Sequence, residues 1–425
     1  MIQSPRRIAV LGGVRIPFCR SNTLYADLSN LEMMTATLEG LVDKFNLAGV
    51  HIDEVTGGAV VTHAKDWNLA REAVIGSRLA PSTPGITMMQ ACGTSLQAAM
   101  GIGAKIALGE IECGIAIGSD TTSDAPIVVG KKLAGRLIQA QRAKSVGQRL
   151  QAFKGFSPGE LAPVPPSVAE PRTGLSMGQH CELMAQHWHI SREAQDALAL
   201  ESHEKAAAAY RSGFMDDLIV PCAGVWRDNN LRTDMTRDSV AQLKTAFERG
   251  GRGTLTAANS TPLTDGAAGV LLASEAWAEA RGIAPQAFLT HAQTAANDFV
   301  AGEGLLMAPT IAVSRLLDRA GLTLQDFDFY EIHEAFAAQV LATLKAWEDP
   351  EYCRSRLGKA HPLGAIDRTK LNVMGSSLAY GHPFAATGAR IASLLAKLLA
   401  ERKGRGLISI CTAGGMGVAA IFESA

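Results

Sequence analysis

Apolar and polar positions follow two rhythms along this chain, and the order of those rhythms repeats. Ile8–Leu11 is a short apolar run of the kind a buried first strand shows. A helical pattern then ends at Leu41–Phe45, and after a turn His51–Val55 leads into a second run, Gly58–Thr62, read as a strand. Late in the chain, Leu316–Gly321 closes a helical pattern, Leu324–Phe327 follows, and Phe329–Glu331 leads to His333. A second echo lies in the same register. Cys92 precedes a small-residue helical stretch, Ser95–Leu108, and the compact strand Gly114–Gly118. His382 likewise precedes the helical stretch Ala385–Leu399 and the strand Gly406–Ile410. Two echoes in one order predict a duplicated βαβ-type half. In such halves packed face to face, loops at corresponding strand ends can meet at one site.

Between the halves the pattern changes. From Ala125 to about Gly253 it is polar and mostly helical, interrupted at Pro163–Val164–Pro165–Pro166. Ser191–Tyr210 reads as a helix with Ser191 as N-cap and Glu193 in its first turn. Gly266–Ser274 returns to a buried-strand pattern, so the polar region is an excursion inserted into the first half, with Gly269–Ala273 as that half's last strand. The expected organisation is residues 1–125 plus 254–277 as one half, 126–253 as a helical loop domain, and 278–425 as the other half.

Composition narrows the possibilities. A chain of 425 residues is too long for a single core, and 47% hydrophobic residues with 42 glycines suit an α/β protein with tight turns and small-residue packing. A net charge of -1 gives no electrostatic case for nucleic acid. No apolar run approaches the roughly 20 residues that span a bilayer, and Met1–Phe18 reads as a first strand rather than a signal peptide. Seven cysteines at irregular spacing argue against a disulfide framework and for a reducing compartment, read as cytoplasmic. No CxxC or HxxxH pair points to a metal. One stretch of the excursion is strongly basic: Lys131, Lys132, Arg136, Arg142, Lys144, Arg149 and Lys154 occur before any acidic residue, with Leu133, Leu137, Val146, Leu150 and Phe153 among them. It reads either as a solvated or ligand-facing helix or as an amphipathic segment for a partner subunit or an anionic membrane.

Four residues carry candidate chemistry. Cys92, between the strand-like Ile86–Met89 and a helix, sits where backbone N–H groups and the helix dipole favour a thiolate. His382, between Gly381 and Pro383, lies on a rigid turn that opens a helix, a suitable place for a base. Cys411 follows a strand and precedes Thr412–Ala413–Gly414–Gly415–Met416–Gly417, whose backbone N–H groups can approach an anion. His333, in Ile332–His333–Glu334–Ala335–Phe336, ends another strand and can face an oxyanion directly or through water. Singly, an inert buried cysteine and a helix-capping or core histidine are the better readings; placement at corresponding strand ends is what joins the four.

Together, Cys92, His333–Phe336, Gly381–His382–Pro383 and Cys411 with its glycine turn resemble the thiolase family over essentially the whole chain, including Thr256–Gly266. The resemblance implies two duplicated α-β-α halves packed in five layers with a mostly helical inserted loop domain. It implies Cys92 as the acyl-accepting nucleophile and His382 as its base, the latter forming with a water an oxyanion hole for the thioester enolate. His333 stands where many thiolases have Asn and would position that water. Cys411 would move the α-proton, and the backbone N–H groups of Cys92 and Ala413 would form a second oxyanion hole; many members have Gly at the position of Ala413. Coenzyme A enters as substrate, with Met177, Gly178 and Thr261 as expected contacts, and no permanent cofactor or metal is required. The HEAF spelling and the excursion look most like the thiolase (β) subunit of the fatty-acid β-oxidation trifunctional complex. That implies 3-ketoacyl-CoA cleavage, a homodimer or tetramer, a possible α-subunit (hydratase/dehydrogenase) partner and possible peripheral membrane contact through 131–154. The alternatives are a biosynthetic acetoacetyl-CoA thiolase, a non-catalytic acyl-CoA-binding relative, and a β-ketoacyl synthase-like enzyme, against which Cys411 speaks.

Overall fold

The computed structural model describes residues 5–425. In chain order, the first half contains β1 (Ile8–Arg15), α1 (Asn30–Phe45), β2 (Glu54–Gly58), β3 (Gly85–Thr87), α2 (Thr94–Leu108) and β4 (Cys113–Asp120). The excursion supplies α3 (Lys131–Arg142), α4 (Val146–Ala152), α5 (Met177–His187) and α6 (Arg192–Arg211) before the chain returns as β5 (Thr264–Ser274). The second half has β6 (Ala287–Ala296), α7 (Ala308–Ala320), β7 (Phe329–Ile332), α8 (Ala337–Glu348), α9 (Thr387–Arg402), β8 (Arg405–Thr412) and β9 (Met416–Ser424).

The duplication is visible in the strand order. In the first half, β1 pairs antiparallel with β5 and β5 with β4, while β4, β2 and β3 run parallel. In the second, β6 pairs antiparallel with β9 and β9 with β8, while β8 and β7 run parallel. A lone parallel bridge from Tyr330 to Leu371 stands where the first half has β3. Ile8–Val10 of β1 also pairs with Ala287–Leu289 of β6, so hydrogen bonding runs on from one half to the other.

Side chains alternate across these strands and build the layers. In β5, Val270 and Leu272 join a central core with Leu96 and Ile102 of α2 and Ile391 and Leu395 of α9, whereas Leu271 and Ala273 join an outer core with Leu38 and Leu41 of α1. Leu407 and Ile421 face a third core with Leu316 of α7 and Val340 of α8. Helices thus cover both outer faces, and α2 and α9 fill the space between the sheets. Their approach depends on glycine: a Cβ on Gly388 would sit 2.4 Å from the Leu96 nitrogen.

Two expectations are corrected. The strand expected at Gly58–Thr62 lies earlier, at Glu54–Gly58. Val60 and Val61 leave the ladder because their N–H groups donate to the Asp120 carboxylate. The proline-rich break is not simply a break: Pro163–Val164 pairs with Val128–Val129 in a two-stranded ribbon that closes the α3–α4 hairpin at its base. The helix expected from Ser191 is present, and Ser191 Oγ accepts the Ala194 N–H at 3.2 Å. No helix among the described residues is long and apolar enough to cross a membrane.

Candidate active site

Each site residue lies where the fold turns sharply. Between β3 and α2, Ala91 adopts φ 46°, in the left-handed region that favours glycine, so the backbone preceding Cys92 is strained. Thr94 ties this elbow down: its Oγ1 accepts the Gln90 N–H at 2.8 Å and donates to the Ala91 carbonyl at 2.7 Å. A Cβ on Gly93 would lie 2.8 Å from Val418 Cγ2, so glycine lets the elbow press against the second half. In the matching position of that half, Gly381 takes φ 103° beside Thr264, whose Oγ1 accepts the His382 N–H at 3.1 Å.

These turns bring His382 Nε2 within 3.1 Å of Cys92 Sγ, across 290 residues of chain. The other ring nitrogen, Nδ1, lies 2.6 Å from Thr387 Oγ1 at the start of α9, which fixes the plane of the ring. When Nδ1–H donates to Thr387, the Nε2 lone pair faces the thiol, as a base requires. His333 follows β7, with its ring centroid 4.2 Å from that of His382 and its Nδ1 2.9 Å from Ser377 Oγ. One nitrogen of each ring and the Cys92 sulfur lie within 4.8 Å of one another. That spacing is also one a metal-ligand set can have, but its sulfur is already engaged by His382.

Burial governs the charges. Cys92 is pushed up to about 12, chiefly by desolvation; the backbone N–H groups of Ala413 and of Cys92 itself pull the other way. His382 is lowered to about 3 by burial and by Arg390, and His333 falls well below the ordinary imidazole value for the same reason, with His382 and Arg390 adding to it. Burial therefore opposes the thiolate expected at the helix end, because the cost of burying charge works against the dipole's help. Cys411, at the end of β8, is buried as well. Burial raises its thiol, and the nearby Cys92 and Cys181 add to the rise. The turn after it is held from the excursion, where Glu170 accepts the Gly414 N–H at 2.9 Å.

The expected coenzyme contacts separate. Thr261 lines a cavity of about 410 Å³ together with Arg20, Arg232, Phe247 and Ser260, and its N–H donates to the Ala335 carbonyl at 3.0 Å. Gly178 is buried beneath Phe247, where a Cβ would lie 2.2 Å from the ring. Met177 packs at the margin of the third core, outside the lining of that cavity.

Several supporting residues went unread in the sequence. Asp120 accepts N–H groups from Val60 and Val61 of the first half and Ala385 of the second. Ser95 donates to the Ala385 carbonyl at 2.5 Å and accepts the Ala389 N–H at 2.8 Å, binding α2 to the His382 loop. Glu334, next to His333, accepts from Ser202 and Asn372 and holds the loop from below.

Comparison with known proteins agrees with this geometry. Residues 8–276 match the family described as Thiolase, N-terminal domain, and residues 283–424 match Thiolase, C-terminal domain. The chain belongs to the thiolase family, and its enzymatic class is that of the acyltransferases. It is 42% identical over 424 residues to the 3-ketoacyl-CoA thiolase of Erwinia tasmaniensis, covering 98% of this chain and 96% of that protein. Among solved structures it resembles the Bacillus anthracis acetyl-CoA acetyltransferase (TM-score 0.81, 29% identity, 99% of this chain and 100% of that one). It also resembles the Acat5 thiolase from Ascaris suum in complex with coenzyme A (TM-score 0.81, 25% identity, 99% and 100%).

Proposed function

We propose that this protein is a 3-ketoacyl-CoA thiolase that cleaves 3-ketoacyl-CoA with coenzyme A, giving acetyl-CoA and a shortened acyl-CoA. The observation that carries the reading is the 3.1 Å contact between the buried Cys92 Sγ and His382 Nε2, with the buried His333 ring packed against His382. His382 takes the thiol proton as Sγ attacks the 3-keto carbon; the resulting oxyanion rests on the backbone N–H groups of Cys92 and Ala413. Collapse breaks the C2–C3 bond and leaves acyl-Cys92 with the enolate of acetyl-CoA. The enolate oxygen is held by His382 and by a water that His333 positions, and Cys411 protonates C2. Cys411, now a thiolate, takes the proton of the incoming coenzyme A thiol. That thiol attacks the acyl group, and Cys92 leaves and recovers its proton from His382. Two separate oxyanion holes suit the two charges, each donor being worth on the order of 3 kcal/mol. The high Cys92 value makes the neighbouring base necessary.

Coenzyme A lies, on this reading, against the excursion in the cavity lined by Thr261, with Arg20 and Arg232 as its cationic wall and Gly178 giving Phe247 room. The halves at 1–125 with 254–277 and at 278–425 act as the catalytic scaffold, and 126–253 as its cover. Purified protein should cleave a 3-ketoacyl-CoA, followed at the Mg²⁺–enolate absorbance, and Cys92→Ser should lower the rate by several orders of magnitude. Equal rates would remove Cys92 as nucleophile. Cys411→Ala should slow α-proton exchange of acetyl-CoA by about 10²- to 10⁴-fold while Cys92 is still acylated. A substrate-length series separates this reading from a biosynthetic acetoacetyl-CoA thiolase.

The α3–α4 hairpin supports a second element of the proposal, contact with an α-subunit or an anionic membrane. Val146 and Leu150 are each 71% exposed beside Lys144 and Arg149, while Arg136 is spent internally on Glu160. Liposomes containing anionic lipid should bind the protein, and neutralising Lys131, Lys132, Arg142, Lys144, Arg149 and Lys154 should abolish that binding; unchanged binding would eliminate the membrane version. Seven unpaired cysteines support a reducing, cytoplasmic setting. Assembly as a homodimer or tetramer is supported by the edge strand β3, whose Ile86 is exposed.

A further inference from the structure

His333 is fully buried, and its Nε2 has no hydrogen-bond partner among the described residues. A buried orphan in a reactive pocket calls for an explanation, and the groups behind the ring supply one. Arg390, from α9, donates through Nη2 to Ser377 Oγ at 2.7 Å. A guanidinium has donors only, so the Ser377 oxygen accepts there and its single proton must go elsewhere. Its other partner among the described residues is His333 Nδ1, at 2.9 Å. The hydroxyl therefore donates to Nδ1, and the one proton of the neutral ring belongs on Nε2. Burial and the nearby Arg390 charge keep a second proton off the ring. Glu331, whose two oxygens are buried without partners, shares this region; burial pushes its carboxyl up to about 8 while Arg390 opposes the shift.

We propose that Arg390 and Ser377 are positioning residues that lock His333 in its neutral Nε2–H tautomer, so that His333 itself donates to the developing enolate oxygen or to the water beside it. The inference rests on the thiolase reading of the site. A donor aimed in advance costs no reorganisation when the negative charge appears. The same proton denies a metal the Nε2 lone pair, so the Cys92–His333–His382 set is poorly disposed to hold an ion in this state. Replacing Ser377 would release Nδ1 and let the proton move to the far side of the ring.

The test combines ¹⁵N-histidine labelling of the full chain, read through two-bond ¹H–¹⁵N correlations, with steady-state thiolysis. The His333 signals are assigned by their loss in His333→Gln. The wild type should show the Nε2–H pattern unchanged between about pH 6 and 9. Ser377→Ala should show the single proton divided between Nδ1 and Nε2 as a mixture of neutral tautomers and lower kcat by about 10- to 100-fold, at or below the cost of losing one oxyanion donor outright, with KM for coenzyme A unchanged. Ser377→Thr should restore both the spectrum and the rate. A wild-type proton on Nδ1, a titration of His333 in that range, or a Ser377→Ala variant with the wild-type tautomer and rate would each overturn the proposal. If Ser377→Ala does not fold, the wild-type spectrum alone decides. A wild type with the Nε2–H pattern but no thiolysis would count against the proposed function and leave the tautomer lock standing.

Discussion

In the proposed reaction the two halves of this molecule use one scaffold for opposite ends of a proton transfer. In the first, the turn between β3 and α2 presents a thiol; in the second, the matching turn before α9 presents an imidazole. The means of holding them differ. The thiol turn stores strain at Ala91 and is pinned by Thr94 within its own half, whereas the imidazole turn uses Gly381 and leans on Thr264 of the first half. Duplication supplied two equivalent positions facing each other; the chemistry comes from their having diverged. Neither half holds a complete site, so interrupting either side should be costly in a way that depends on what that side supplies.

The largest effect is expected from removing the base. His382→Ala leaves a buried thiol that burial has already pushed up to about 12, without the imidazole that contacts it at 3.1 Å. On the proposed mechanism it also removes an oxyanion donor. Acylation of Cys92 should slow by about 10³- to 10⁴-fold in single-turnover measurements. A loss smaller than tenfold would mean that the second half does not activate the first.

How much of this could be read in the sequence follows from the same comparison. The duplicated order was legible because helix and strand rhythms repeat, and the four reactive residues because each is a chemically distinctive side chain at a strand end or beside a glycine turn. The fasteners between halves were not. Ser95 and Asp120 are ordinary residues that gain their role only by contacting Ala385, 290 and 265 residues away, and Ser377 and Arg390 look like unremarkable members of a helical run. The strand boundary at Gly58 was misplaced because a carboxylate, invisible to periodicity, captures the N–H groups of Val60 and Val61. Local reasoning also set the helix dipole against no opposing cost; the depth of burial that reverses its effect on Cys92 is a tertiary property.

An intermediate effect should come from the joint between the halves. Asp120→Ala strands the buried Ala385 N–H, at a cost of about 1–3 kcal/mol, together with the half-buried N–H groups of Val60 and Val61, and frees the loop that carries His382; kcat should fall about 10- to 100-fold with a lowered Tm. The pH dependence sharpens the point. Burial raises the Asp120 carboxyl from 3.8 to about 7 in the folded protein. The folded state then holds a proton that the unfolded state has lost, so this group's contribution to stability declines as pH rises through about 7. The Tm advantage of the wild type over Asp120→Asn should therefore narrow between about pH 4 and 7, and a constant gap would remove Asp120 as the titrating joint.

The subtlest expected difference concerns how the two turns share their proton at rest. An imidazolium–thiolate pair and a neutral pair could have the same 3.1 Å separation, so distance alone does not choose between them. Burial favours the neutral pair: it lowers His382 to about 3 and raises Cys92 to about 12, so the proton is expected on sulfur at rest. Iodoacetamide reacts with thiolate, so its rate constant at Cys92 should climb about tenfold per pH unit from neutral pH upward, with no plateau. A preformed ion pair would instead give a flat profile near neutrality, because the thiolate fraction would already be saturated. In His382→Ala the slope should persist, since the thiol remains protonated over the same range. A plateau in the wild type that vanishes in this variant would show that the second half ionises the first before substrate arrives, and not only as the acyl group is attacked.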